Sequence, residues 1–164
     1  MSSSAGRGVT GCENELVSFT IHATEHTGIT VADLDRALEF WTGALGFALV
    51  RRGRLDGDFA GDVTGVAETG ISIAVLEAPG GHRIELLEYT TADRDRSAKR
   101  PCDPGAMHLA FTVDDIEAVL AAVAVHGFTP PGRVRAMPDG PRAGTRFVYL
   151  TDPDGTTVEL IQPA

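Results

Sequence analysis

The chain has 164 residues, 43% hydrophobic and 23% charged, with a formal net charge of −9. That size fits one compact domain or two small modules sharing a core, and the composition is that of a soluble globular protein. The acidic balance excludes an electrostatic nucleic-acid binder, and no apolar run is long enough to span a membrane.

Residues 1–16 are small and polar and are expected to be disordered. They lack the apolar core of a signal peptide, and the chain is expected to be cytoplasmic. Cys12 and Cys102 show neither metal nor redox spacing, and are read as free thiols in a reducing compartment.

A first module is expected over 17–90. From Val17 to Val31 the β-branched content predicts one or two strands, ending at His26-Thr27-Gly28-Ile29-Thr30-Val31. On an alternating strand His26, Gly28 and Thr30 share a face, and Ile29 and Val31 the other. Asp33 is placed to cap a helix with apolar positions Leu34, Ala37, Leu38, Trp41 and Leu45, closed by Gly46. Strands follow at 47–52, 70–77 and 83–89, the last two joined by the turn Pro79-Gly80-Gly81. A charged linker at 91–105 leads to a second module over 106–164.

The second module repeats the first. Aligning His108 on His26 puts Val113 on Val31 and Asp115 on Asp33. A helix carrying Ile116, Val119, Leu120 and Val123 starts at a capping-box pattern, Asp114 with Glu117, and ends at Gly127. Strands are predicted at 128–135, 146–151 and 156–162, with a tight turn at Asp152-Pro153-Asp154-Gly155. The fold class is therefore α+β: two βαβββ modules forming a cupped mixed sheet.

Each module opens on a histidine and closes on a strand with a central glutamate, Glu85 and Glu159. Glu85 and Glu88 are three apart, so they face opposite sides of their strand, and the match to Glu159 selects Glu85. His26, Glu85, His108 and Glu159 thus occupy equivalent places, and pseudo-twofold symmetry is expected to bring them to one point. Two imidazoles and two carboxylates suit a divalent transition metal with positions left for substrate. Arginines cluster at 51–54 and 133–146, and the segments 51–62 and 130–145 are read as substrate loops. His22 is read as a rim residue, His82 and His126 as structural, and Tyr89 as a possible lining residue.

Four stretches, "HTGITVADLDRALEFWTGALGF", "HRIELLEY", "MHLAFTVDDIEAV" and "YLTDPDGTTVELIQ", resemble the vicinal oxygen chelate superfamily over residues 22–162. Glyoxalase I is the nearest ligand match, with His26, Glu85, His108 and Glu159 on its metal positions; methylmalonyl-CoA epimerase is similar but commonly has Gln in place of Glu85. The resemblance implies a divalent ion (Ni, Zn, Co, Mn or Fe) that chelates two neighbouring oxygens of a small substrate and stabilises an enolate or enediolate. Glu159, and second Glu85, is expected to move the proton, as an isomerase or lyase. Two alternatives belong to the same superfamily: an iron(II) extradiol dioxygenase using His26, His108 and Glu159, and an antibiotic-sequestering binding protein. Each module leaves an open sheet edge, and a homodimer is expected.

Overall fold

The computed structural model describes residues 19–67, 69–91, 94, 97 and 99–164. The expected disorder of 1–16, Cys12, and the start of the first strand at Val17 lie outside the described residues. In chain order the elements are β1 (Thr27–Thr30), α1 (Leu34–Leu38) continuing as a π-helical segment (Glu39–Ala44), β2 (Ala48–Leu55), α2 (Asp58–Thr64), β3 (Ile71–Glu77), β4 (Arg83–Tyr89), β5 (His108–Thr112), α3 (Ile116–Ala124), β6 (Arg135–Ala136), β7 (Arg146–Thr151) and β8 (Thr157–Gln162). The strands form two four-stranded sheets, ordered β1-β4-β3-β2 and β5-β8-β7-β6. β1 runs parallel to β4 and β5 parallel to β8, and the other pairs are antiparallel. This is the α+β, twice-repeated βαβββ architecture that the sequence repeat predicts.

The repeat extends to single hydrogen bonds. Val31 N–H donates to Leu87 O, and Val113 N–H donates to Ile161 O, so each edge strand is tied to its neighbour at the same point. Asp33 caps α1 by accepting from Arg36 N, and Asp115 caps α3 by accepting from Ala118 N. The cap of α3 is thus Asp115 rather than Asp114, because the helix starts at Ile116. Glu117 is drawn away instead to the Arg146 guanidinium. A further N–H at each helix start is taken by the end of the last strand, Leu34 N by Glu88 Oε2 and Ile116 N by Gln162 Oε1. Gly46 and Gly127, after the two helices, take φ of 70° and 83°, a conformation that costs a residue with a Cβ.

Other elements depart from expectation. Residues 19–26 hold no strand, so His26 sits just ahead of β1. The first helix loosens after Leu38 to the i→i−5 pattern, with Leu45 N–H on Phe40 O. Segment 51–62 is not a plain loop: β2 runs to Leu55 and α2 follows, its apolar face too short for the 3.6-residue period to show. The strand expected over 128–135 shrinks to β6, preceded by a single bridge between Thr129 and Thr151. Pro130, Pro131 and Gly132 explain this, since consecutive prolines remove the N–H donors that a ladder needs.

One core joins the modules. Leu34, Leu38, Phe40, Trp41, Leu76, Ile84 and Leu86 from the first pack in the same buried cluster as Ile116, Val123, Phe128, Leu150 and Leu160 from the second. The Phe40 and Phe128 rings stack at 3.7 Å, and Phe111 of β5 meets Trp41 and Phe47 edge-on. A polar clamp adds to this: Asp154, in the β7–β8 turn, accepts from Ala32 N at 3.1 Å and from Arg36 Nη2 at 2.8 Å. A smaller cluster of Ala60, Ile71, Ile73 and Val75, flanked by Leu55, Leu87 and Tyr89, lies between α2 and the other face of the first sheet. Tyr89 therefore belongs to this satellite core. Cys102 is an exposed free thiol. Among the described residues no helix is long and apolar enough to cross a membrane.

Candidate metal centre

Register decides which side chains share a face, because directly paired residues point the same way. In the first sheet one row runs Gly28–Glu85–Val75–Arg51 across β1, β4, β3 and β2. In the second the matching row is Ala110–Glu159–Tyr149 across β5, β8 and β7. Glu85 and Glu159 thus stand at equivalent positions, while Glu88 points to the helix side and caps α1. Glu85 and Glu88 thus face opposite sides of β4, as strand alternation predicts.

Each carboxylate meets its module's histidine. His26 Nε2 lies 3.3 Å from Glu85 Oε2, and His108 Nε2 lies 3.3 Å from Glu159 Oε2. The side chains match in burial too: the glutamates are 14% and 18% exposed, the histidines 37% and 40%. The spacing fits a shared metal ion. With metal–nitrogen and metal–oxygen bonds of ~2.0–2.2 Å, two adjacent ligand atoms of a tetrahedral or octahedral ion stand ~2.9–3.5 Å apart. Each pair therefore stands at a separation that two ligands of one ion can take, and is a candidate half-site.

The surroundings also fit a metal. The Glu25 carboxylate is hydrogen-bonded to His26 Nδ1. A carboxylate on the ring nitrogen turned away from Glu85 is the carboxylate–histidine arrangement that orients metal-ligating imidazoles. The same contact holds the Glu25 carboxyl below its ordinary range. Around His108 the partner is Tyr149, whose hydroxyl is 3.5 Å from Nε2 and whose ring lies 4.9 Å from the imidazole.

The chain brings the four expected ligands together as two pairs, not as one cluster. Among the described residues no three His, Cys, Asp or Glu side chains gather closely enough to hold an ion. The reason is the direction of packing. The apolar faces of the two sheets turn into the shared core and the His–Glu faces turn away from it; α2 covers part of the first, while Gly28, Thr30, His108, Ala110 and Thr112 are all exposed.

Other residues fall as follows. His22 is exposed. His82 Nε2 is 3.1 Å from Thr27 Oγ1, and His126 packs edge-on against Phe40, so both have structural contacts. Within 130–145, Arg142 lies over the Phe147 ring at 4.7 Å. Phe147 shares the Tyr149 face by alternation, so Arg142 lies on the same face of the second sheet as Glu159. Glu25 and Tyr149 escaped sequence reasoning. Counting back from the Asp152–Gly155 turn pairs Tyr149 with Glu159, and that was the available signal.

The family model described as "Glyoxalase/Bleomycin resistance protein/Dioxygenase superfamily" matches residues 23–160. A 2-epi-5-epi-valiolone epimerase from Actinomyces sp. is 35% identical over 162 residues, covering 95% of this chain and 82% of that protein. A probable lactoylglutathione lyase from Vibrio cholerae is 29% identical over 143 residues, 86% of this chain and 91% of that one. A glyoxalase family protein from Bacillus cereus has a similar structure, with a TM-score of 0.76 at 26% identity over 90% of this chain and 98% of that one.

Proposed function

Since this chain belongs to the glyoxalase/bleomycin resistance protein/dioxygenase superfamily, we propose that it is a metal-dependent enzyme of the epimerase or glyoxalase type. It moves a proton on a carbon beside an oxygen-bearing group of a small substrate. The observation that carries this reading is the matched pair of half-sites, His26 with Glu85 and His108 with Glu159, each with ligand atoms 3.3 Å apart on an open sheet face.

Four ligands are reached when the first half-site of one copy meets the second half-site of another. A twofold homodimer makes that contact twice and covers both open faces. The four residues would then hold one divalent ion (Ni, Zn, Co, Mn or Fe), which would supply Lewis-acid chemistry toward the oxygens of the substrate. Glu159 is the base that takes the proton, and Glu85, arriving from the facing sheet, is the second carboxylate. Inversion of a stereocentre needs removal on one face and delivery on the other, which two carboxylates on opposed sheets provide. Glu25 keeps the His26 ring oriented throughout.

The Actinomyces relative makes 2-epi-5-epi-valiolone the first substrate to assay. Metal-loaded protein in deuterated water without oxygen is expected to place solvent deuterium in that compound. Absence of exchange there, and in hydroxyketone and 2-methyl-acyl thioester substrates, would sink the proposal. Oxygen-dependent conversion of a catechol in its place would assign the dioxygenase reading.

A further inference from the structure

We infer that Arg51 is the substrate-contacting cation of this site, donating to an anionic or hydroxyl oxygen of the bound molecule; the inference rests on the metal-dependent reading above. Two observations single it out. The first is a β-bulge. Pairing of β2 with β3 steps from Leu49 opposite Leu76 to Arg51 opposite Val75, leaving Val50 without a partner. In an unbroken ladder Val50 stands opposite Val75 and Arg51 points to the other face. The extra residue re-aims the strand, which is a recognised use of bulges beside active sites. Arg51 therefore joins the Gly28–Glu85–Val75 row, and its guanidinium reaches across Val75 to the candidate ligand.

The second observation is its partner. Arg52 pairs with Asp35 at 2.8 Å, and Arg54 with Asp56 at 2.8 Å. Arg51 is placed differently: its Nη2 stands 3.7 Å from Glu85 Oε1, a loose contact, and its side chain is 61% exposed. Glu85 divides its two oxygens, Oε2 toward His26 and Oε1 toward Arg51. An ion held by His26 and Glu85 would take up most of that carboxylate's charge, and Arg51 would be left with donors facing the open cleft beside them. A planar guanidinium suits paired substrate oxygens.

In the row of the second half-site Tyr149 holds the place of Val75, and β6 begins at Arg135, short of pairing opposite it. Arg51 is thus held in register beside the Glu85 row by a strand pairing that β6 does not repeat in the second module.

The test uses cobalt(II)-loaded protein, whose visible spectrum reports on ion binding, and glycolate as the vicinal-oxygen probe. Wild type, Arg51→Met, Arg51→Lys and Arg52→Met are compared. Arg51→Met is expected to bind cobalt(II) as wild type does and to lose about 10- to 100-fold in glycolate affinity, the range for one charge-assisted hydrogen bond. Arg51→Lys recovers part of it, and Arg52→Met, on the opposite face, behaves as wild type in both titrations. Unchanged glycolate affinity in Arg51→Met overturns the inference. So does a parallel loss of cobalt(II), which makes Arg51 only a support for Glu85, and so does wild-type cobalt protein with no glycolate response. Wild type that takes up no cobalt(II) defeats the metal reading itself, and is recognised because it fails before any substitution.

Discussion

Replacing Phe128 by alanine removes half of the aromatic contact that holds the two modules together. The residue is 4% exposed, and its ring lies 3.7 Å from that of Phe40 and 10° from parallel with it. Emptying a buried phenylalanine site costs ~3–5 kcal/mol, through lost transfer energy and the cavity left behind. The stacked geometry adds ~0.5–1.5 kcal/mol of pair energy to what is lost, which favours the upper part of that range. For a chain of this length each kcal/mol moves the melting temperature by ~2–4 °C, so a fall of ~6–20 °C is expected. Urea and thermal unfolding should be run at one protein concentration, since association makes the midpoint concentration-dependent. Phe128→Leu preserves most of the volume and should cost less than ~1.5 kcal/mol. A loss below ~1 kcal/mol in the alanine variant would refute the reasoning, because the modules would then dock through something other than this stack.

Three further outcomes follow from the same geometry. Asp154→Ala removes the acceptor for Ala32 N and Arg36 Nη2 and should cost ~1–3 kcal/mol in urea unfolding, whereas an unchanged midpoint leaves the clamp without energetic weight. Glu85→Gln retains size and an oxygen donor but not the charge; it should fold normally and lower turnover ~100-fold or more, and full turnover would remove Glu85 from the chemistry. Burial pushes the Asp152 carboxyl above its ordinary range, against backbone N–H bonds from Thr156 and Asp154 that favour the charged form. The folded state then holds the proton more tightly than the unfolded chain, so this contribution to stability is present at low pH and lost as pH rises through the raised value. Asp152→Asn keeps an oxygen acceptor and cannot ionise, so its urea midpoint at neutral pH should equal or exceed that of wild type, with the gap closing on acidification. A less stable Asn variant at neutral pH would show that the hydrogen bonds to the carboxylate outweigh its burial.

The repeat made much of this fold legible. His26 and His108, Asp33 and Asp115, Gly46 and Gly127, Glu85 and Glu159 recur at matching places, and β4 and β7 fall where alternation puts them. Local signals fared worse where tertiary packing decides. The π-helical turn at Glu39–Ala44 serves Phe40 and Trp41, which must both enter the shared core, and no propensity marks it. The helix α2 exists because Ala60 covers Ile71, Ile73 and Val75, a contact invisible in the seven residues Asp58–Thr64 taken alone. The bulge at Val50 escaped for a related reason: register depends on the partner strand, and a one-residue shift exchanges the faces of every side chain beyond it. The separation of the four expected ligands into two pairs was likewise not written in their spacing, since it depends on which sheet faces the core takes.

The central claim is a metal site shared between copies, and subunit mixing tests it most directly. His26→Ala and His108→Ala are each expected to lose metal, because every site in either homodimer lacks a ligand. When the two variants are mixed and allowed to exchange subunits, each heterodimer has one site carrying both lesions and one site with all four ligands. Statistical mixing makes half of the dimers heterodimers, so metal content should recover to about a quarter of the wild-type value. A mixture that binds no more metal than the separate variants would contradict a site built from His26 and Glu85 of one copy with His108 and Glu159 of the other.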